Sequence, residues 1–175
     1  MIALPASVEP LFIRAGWHPG VASAVVDGNH HPATDMLREF DGLTVGSDGA
    51  GVECARIALK FQPIETLDEQ IMAWERTLQT TMVGFAEGGL GYEEFYADEM
   101  GRIFAINCIV DGVYLCGFSF GDAVERLLLG RRAMPLLLEG QERVPFYGED
   151  LLRGDPGLSV FLCAGQVKAH RQFER

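Results

Sequence analysis

Residues 98–130 constrain the fold more than any other stretch, because a clear signal marks each boundary between its predicted elements. Residues 102–110 are apolar enough to form a strand, and the dipeptide Asp111-Gly112 is typical of a tight hairpin turn. Residues 113–118 then form the predicted returning strand, and residues 119–129 form a helix. The stretch therefore predicts an antiparallel pair of strands that leads directly into a helix.

The same stretch contains Gly117-Phe118-Ser119-Phe120-Gly121, which matches the G-x-S-x-G elbow that presents a nucleophilic serine in many hydrolases. A serine triad in hydrolase order also needs an acid and then a histidine downstream, and His170 near the end is the only downstream histidine. Ser119 with Asp122 also fits a helix N-cap with an acidic first turn, an arrangement worth about 1 kcal/mol. We predict that Ser119 caps a helix, and a small serine hydrolase using Ser119 is the alternative.

Helix and strand patterns are mixed through the rest of the chain up to residue 130. Helical segments carry apolar residues at spacings of three and four, and strand segments alternate between apolar and polar residues. Helices are predicted at residues 7–15, from Pro32 to the stop at Gly42, and from the capping box of Thr66 and Glu69 to Leu78. Strands are predicted at residues 56–61, 81–85 and 92–97, and residues 43–45 form a short apolar segment. We therefore expect an α+β domain whose mostly antiparallel central sheet is flanked by helices.

Length and charge limit the classes of function. The chain has 175 residues, of which 48% are hydrophobic, so we expect a single folded domain over residues 1–175. Its 25 acidic residues against 14 basic ones give a net charge of −11. Nucleic acid and anionic lipid require lysine and arginine, so neither is an expected partner. This charge suits solubility or association with a basic partner.

Other features argue against a membrane segment, a metal or a cofactor. No apolar run comes near the roughly 20 residues that span a bilayer, and residues 1–5 lack the basic and apolar regions of a secretory signal. The Gly-rich loop at residues 84–91 lacks the lysine of a phosphate loop, and the neighbouring His30 and His31 lack a third strong ligand nearby. The four widely spaced cysteines are predicted to act as small hydrophobes in a reducing cytoplasm.

Acidic residues are concentrated between Gln62 and Gly101. This segment contains nine acidic residues and one basic residue, Arg76. A charge run of this kind is by default a solvated surface, but a negative patch also steers a basic partner into contact. We predict that residues 87–99 contribute such a surface. The candidate contact residues are Glu87, Glu93, Glu94, Asp98 and Glu99.

Several short blocks of sequence together resemble one known family. The blocks are residues 11–17 (LFIRAGW), 31–33 (HPA), 37–43 (LREFDGL) and 101–104 (GRIF), followed by Gly117, Ser119, Ala123, Leu127, Leu128 and Gly130. In this order, over about residues 8–130, they resemble the SUKH-3 group of bacterial immunity proteins in the SUKH superfamily. Asp41 stands where this family usually has glycine, Phe104 stands where it often has tyrosine, and residues 131–175 form an extension without a counterpart.

The resemblance implies an α+β SUKH fold and a protein that binds a toxin rather than one that catalyses a reaction. Proteins of this group bind and neutralise a cognate toxin domain, often a nuclease, in polymorphic toxin systems. Nucleases carry basic surfaces because they grip phosphates, so the acidic residues above become candidate toxin contacts. No catalytic residue, metal or cofactor carries over from the family. An intracellular adaptor of the same fold, without a toxin partner, is a further alternative.

Overall fold

A central β-sheet with helices on both faces forms the molecule. The computed structural model describes residues 2–20, 31–65, 69–109, 112–137, 140–155, 158–162 and 166–167. Within these residues the helices are α1 (Glu9–Arg14), α2 (Pro32–Phe40), α3 (Glu69–Leu78) and α4 (Phe120–Leu129). The strands are β1 (Thr44–Val45), β2 (Gly49–Ala50), β3 (Ala55–Arg56), β4 (Leu59–Ile64), β5 (Met82–Gly88), β6 (Glu93–Asp98), β7 (Ile103–Asn107), β8 (Val113–Gly117), β9 (Met134–Leu137), β10 (Arg143–Phe146), β11 (Glu149–Leu152), β12 (Ser159–Leu162) and β13 (Gln166–Val167).

The main sheet has the order β1-β4-β5-β6-β7-β8-β9-β12-β13. Every neighbouring pair from β1 to β9 is antiparallel, and β12 is parallel to β9. The strands β2 and β3 form one small hairpin, and β10 and β11 form another. The predicted α+β fold with a mostly antiparallel sheet and flanking helices is therefore confirmed.

The two faces of the sheet bury two separate apolar clusters. On one face α1, α2 and α4 pack around an aromatic group in which Phe40 lies 5.0 Å from Phe12 and 5.3 Å from Phe120 between ring centroids. On the other face Trp74 and its neighbours on α3 pack against Tyr96 and other sheet residues. Because both faces are covered by helices, the exposed parts of the central strands are their ends and the loops that join them.

The first three helices agree with the sequence patterns, while the strand at residues 56–61 is shifted. Arg56 instead pairs with Gly49 in the β2–β3 hairpin, so β4 starts only at Leu59. The strand β4 then continues through Pro63 by means of a register shift, which is where a sheet tolerates proline. The capping box predicted at Thr66 lies outside the described residues.

The β7–β8 hairpin is antiparallel as predicted, and Asp111 of the predicted Asp-Gly turn lies outside the described residues. Among the described residues the pairing ends at Ile106 opposite Val113. The chain leaves β7 early because Cys108 N–H donates to the carbonyl of Tyr92 at 2.8 Å and Ile109 N–H donates to the side chain of Asn107 at 2.9 Å. The end of β7 is thus held against the neighbouring loop.

The extension beyond residue 130 adds strands where the sequence predicted no firm element. All four residues of β9 are buried, and the strand pairs with β8 to continue the antiparallel sheet. Leu137 also packs with Val144 and Leu158, which holds the β10–β11 hairpin against this edge. Glycine, proline and charge interrupt the apolar runs here, and burial against β8 is what stabilises β9 as a strand.

Candidate partner-binding surface

Ser119 is a helix cap, as the sequence predicted. Its hydroxyl oxygen accepts the N–H of Asp122 at 3.2 Å, and the helix α4 begins at the next residue. A side chain at Gly117 would lie 2.5 Å from the backbone nitrogen of Ala123, so glycine is needed there for α4 to pack closely on β8. Packing and capping therefore explain the G-x-S-x-G pattern. His170 lies outside the described residues.

Buried thiol and phenol groups near α4 are poorly suited to act as nucleophiles. Burial raises the pKa of the Cys116 thiol, which is wholly enclosed, and the negative charge of Glu93 adds to this shift. Burial also raises the pKa of Tyr114 to about 12, and its hydroxyl donates to the carbonyl of Pro145 at 2.6 Å. Both groups stay protonated at neutral pH, as expected of structural side chains. Among the described residues no group of histidine, cysteine or acidic side chains could hold a metal ion.

The strand β6 separates the predicted acidic contacts into two groups. Glu93 and Glu94 begin this strand and Asp98 ends it. Five residue steps in an extended strand place these two ends about 17 Å apart. We call residues 87–94 with 107–109 the loop end of the sheet, and residues 98–102 the turn end. The candidate contact residues are close in sequence, but they do not form one continuous surface patch.

The turn end is held together by a buried ion pair. Asp98 is 0% exposed, and one of its carboxylate oxygens accepts from the guanidinium of Arg102 at 2.5 Å. The other oxygen accepts the N–H of Met100 at 3.0 Å and that of Arg102 at 2.8 Å. The carboxylate of Asp98 is thus used inside the protein and is not available at the surface. Glu99, the next residue, is exposed.

The loop end collects the other three acidic residues. Glu87 lies opposite Glu94 in the β5–β6 pair, and Glu87 forms an ion pair with Lys60 at 2.9 Å. Glu94 accepts a hydrogen bond from the hydroxyl of Tyr96 at 2.6 Å. Glu93 begins β6 beside them, on the opposite face of the sheet. The structure therefore brings Glu87, Glu93 and Glu94 together at one end of the sheet.

Glu93, like Glu87 and Glu94, is half-buried. Burial raises the pKa of its carboxyl, a hydrogen bond with the side chain of Asn107 opposes this shift, and the charge of Asp48 reinforces it. The carboxylate of Asp48 accepts the N–H of Ala58 at 2.9 Å, which fixes a second negative charge in the neighbourhood. Burial is therefore the main reason why ionisation of Glu93 is disfavoured, and the negative charge of Asp48 adds to it.

Three large apolar side chains are exposed at the loop end, and the sequence patterns missed them. The exposed fractions are 84% for Leu90, 67% for Ile109 and 51% for Tyr92. The hydrogen bond from Cys108 N–H to the carbonyl of Tyr92 places the two loops side by side. The strand β5 extends to Gly88, so only residues 89–91 of the predicted Gly-rich loop at residues 84–91 lie outside a strand. An apolar residue between two glycines was the signal that could have identified this surface.

Comparison with known proteins identifies a single family. The model of the SUKH-3 immunity protein family matches residues 4–130, well over half of the chain. The matched region includes both the loop end and the turn end, and it stops before β9. No curated protein and no solved structure matched the chain. In the described part of the chain, no helix has the length and apolar character needed to cross a membrane.

Proposed function

We propose that this chain, which belongs to the SUKH-3 immunity protein family, binds a cognate bacterial toxin domain and neutralises it without catalysis. The family match over residues 4–130 is the observation that carries the proposal, because it includes the sheet and the loops at both of its ends. The cap role of Ser119 and the raised pKa of the Cys116 thiol are consistent with a binding protein.

The charge of the chain supports a basic toxin, and we propose a nuclease of a polymorphic toxin system. A nuclease needs lysine and arginine around its active site to hold phosphates. A protein with a net charge of −11 attracts such a surface and accelerates the encounter. Because the nucleic acid substrates of such a toxin are in the cytoplasm, we place the immunity protein there. Masking of the active site would then prevent cleavage.

The loop-end carboxylates are the proposed acidic contacts with the toxin. Glu87, Glu93 and Glu94 lie together and remain at least partly accessible. Glu99 lies about 17 Å away at the other end of β6, which exceeds the Debye length of about 8 Å at physiological salt. We therefore propose a smaller, long-range role for Glu99. Asp98 contributes indirectly, because its buried pair with Arg102 holds the turn that carries Glu99.

Co-expression tests this function most simply. The probe is the toxic C-terminal domain of the large secreted protein that we expect the neighbouring reading frame to encode. Cells that express this domain with the wild-type chain should survive, and the two purified proteins should form a stable complex. The Ser119→Ala variant should protect equally well. Loss of viability in the presence of wild-type chain, with no complex in solution, would contradict the proposed function.

The electrostatic part of the proposal has its own test. Replacing Glu87 and Glu94 with glutamine should slow association with the toxin domain by about three- to tenfold at low salt and weaken its salt dependence. The matched control replaces Glu65 and Glu149 with glutamine. Both residues are exposed, and their replacement removes the same charge away from the loop end. Equal slowing by both pairs would mean that net charge, rather than the loop end, guides the encounter.

A further inference from the structure

Among the described residues, three of the ten large apolar side chains that are exposed lie at the loop end. A short 3-10 turn, Gly89–Gly91, joins β5 to β6 and carries Leu90 at its tip. Tyr92 follows directly, and its carbonyl is bonded to the N–H of Cys108, the residue before Ile109. Single exposed apolar residues are ordinary in soluble proteins, but a group of them marks an interaction site.

Leu90 is unfavourable for folding in two separate respects. Its backbone lies in the left-handed region, with φ 61° and ψ 29°, where a side chain beyond glycine is strained. Its side chain is also 84% exposed, so no burial offsets this strain. Gly89 and Gly91 on either side have positive φ as well, at 57° and 85°. Backbone strain of this kind persists where function requires it. Burial of the Leu90 side chain by a partner would supply such a function.

The surroundings of these tips define the chemistry of the partner. Residues 82–98, which form the β5–β6 hairpin, contain no lysine or arginine. Lys60 on the adjacent strand is already paired with Glu87. Burial raises the pKa of Glu93, and the like charge of Asp48 adds to this shift. A cationic surface would relieve this repulsion, whereas an acidic or purely apolar surface would not.

We infer that Leu90, Tyr92 and Ile109 form the apolar centre of the toxin-binding surface, and that they insert into an apolar recess ringed by lysine and arginine on the toxin. Glu87, Glu93 and Glu94 form the acidic rim. This inference rests on the proposed function and adds the residues that supply affinity. A central apolar anchor with a charged rim is the arrangement in which a few residues dominate the binding energy.

The variant Leu90→Asn separates binding from stability. Asparagine tolerates the left-handed backbone better than leucine, so the melting temperature should stay the same or rise. The loss of the apolar anchor should weaken the Kd for the catalytically inactivated toxin domain by about tenfold or more. Ile109→Ser should have the same effect on the Kd, and Tyr92→Ser supplies a third variant.

Matched controls lie at the other end of β8 and in the turn end. Met100 is 73% exposed and Phe118 is 49% exposed, so Met100→Asn and Phe118→Ser remove comparable apolar surface. Their Kd values should remain within about twofold of the wild type. If the folded Leu90→Asn and Ile109→Ser variants bind as tightly as the wild type, this inference is overturned while the proposed function stands. If the wild-type chain itself does not bind the toxin domain, the proposed function is overturned and this inference with it.

Discussion

The two ends of the central sheet are built on opposite principles. At the turn end Asp98 is buried, and it is satisfied by Arg102 and by two backbone N–H groups. At the loop end Leu90 is strained and exposed, and Glu93 is half-buried with a pKa raised by burial. The same strand, β6, connects the two ends. The turn end satisfies its charged groups inside the protein, whereas the loop end exposes a strained residue and apolar side chains at the surface.

This difference teaches which part of the family scaffold is available for binding. A buried ion pair needs both partners in place, so the turn end has little freedom to vary without loss of folding. The loop end contributes less to folding, because its apolar tips pack against little of the protein. Natural proteins tolerate such local costs where function requires them. We therefore expect substitutions at the turn end to change stability and those at the loop end to change binding.

The largest expected effect is at the turn end. Arg102→Ala leaves the carboxylate of Asp98 buried without its cation, and we expect the free energy of unfolding to fall by about 3–5 kcal/mol. Chemical denaturation with urea would measure the change. The double variant Asp98→Asn with Arg102→Met should recover much of the loss, since no uncompensated charge remains. A loss below about 1 kcal/mol for Arg102→Ala would mean that the pair is not the support of this end.

A smaller effect is expected at Ser119. This residue follows β8 at the end of the strands where the turn end lies. Ser119→Ala removes the oxygen that accepts the N–H of Asp122, so the free energy of unfolding should fall by about 1 kcal/mol. Protection against the toxin should be unchanged at temperatures where the variant is folded. Loss of protection with unchanged stability would revive the serine hydrolase alternative.

The smallest effect concerns Glu93 and depends on pH. Burial raises the pKa of Glu93 in the folded protein above the ordinary value of 4.5, so ionisation of this group destabilises the fold. The cost is complete above the folded pKa and disappears below about 4.5. Glu93→Gln should therefore have a higher melting temperature than the wild type at pH 8, and the difference should shrink as the pH falls. A difference that grows on acidification would contradict this account.

Local patterns predicted the scaffold better than the surface. The cap at Ser119 and the helix that it begins depend on neighbouring residues, which a short stretch of sequence contains. The hydrogen bond from Cys108 to Tyr92 could not be predicted, because it joins β7 to another loop that is not adjacent in sequence. The burial of Asp98 was missed for a related reason. A carboxylate in an acidic run is usually solvated, and only the folded turn brings Arg102 over it.

Hydrogen exchange on the complex tests the central claim most directly. With the inactivated toxin domain bound, the backbone amides of residues 89–93 and 107–109 should gain protection, because the toxin covers the loop end. Amides of residues 99–102 at the turn end should exchange as they do in the free protein. Protection confined to the turn end, with the loop end unchanged, would contradict the assignment of the binding surface.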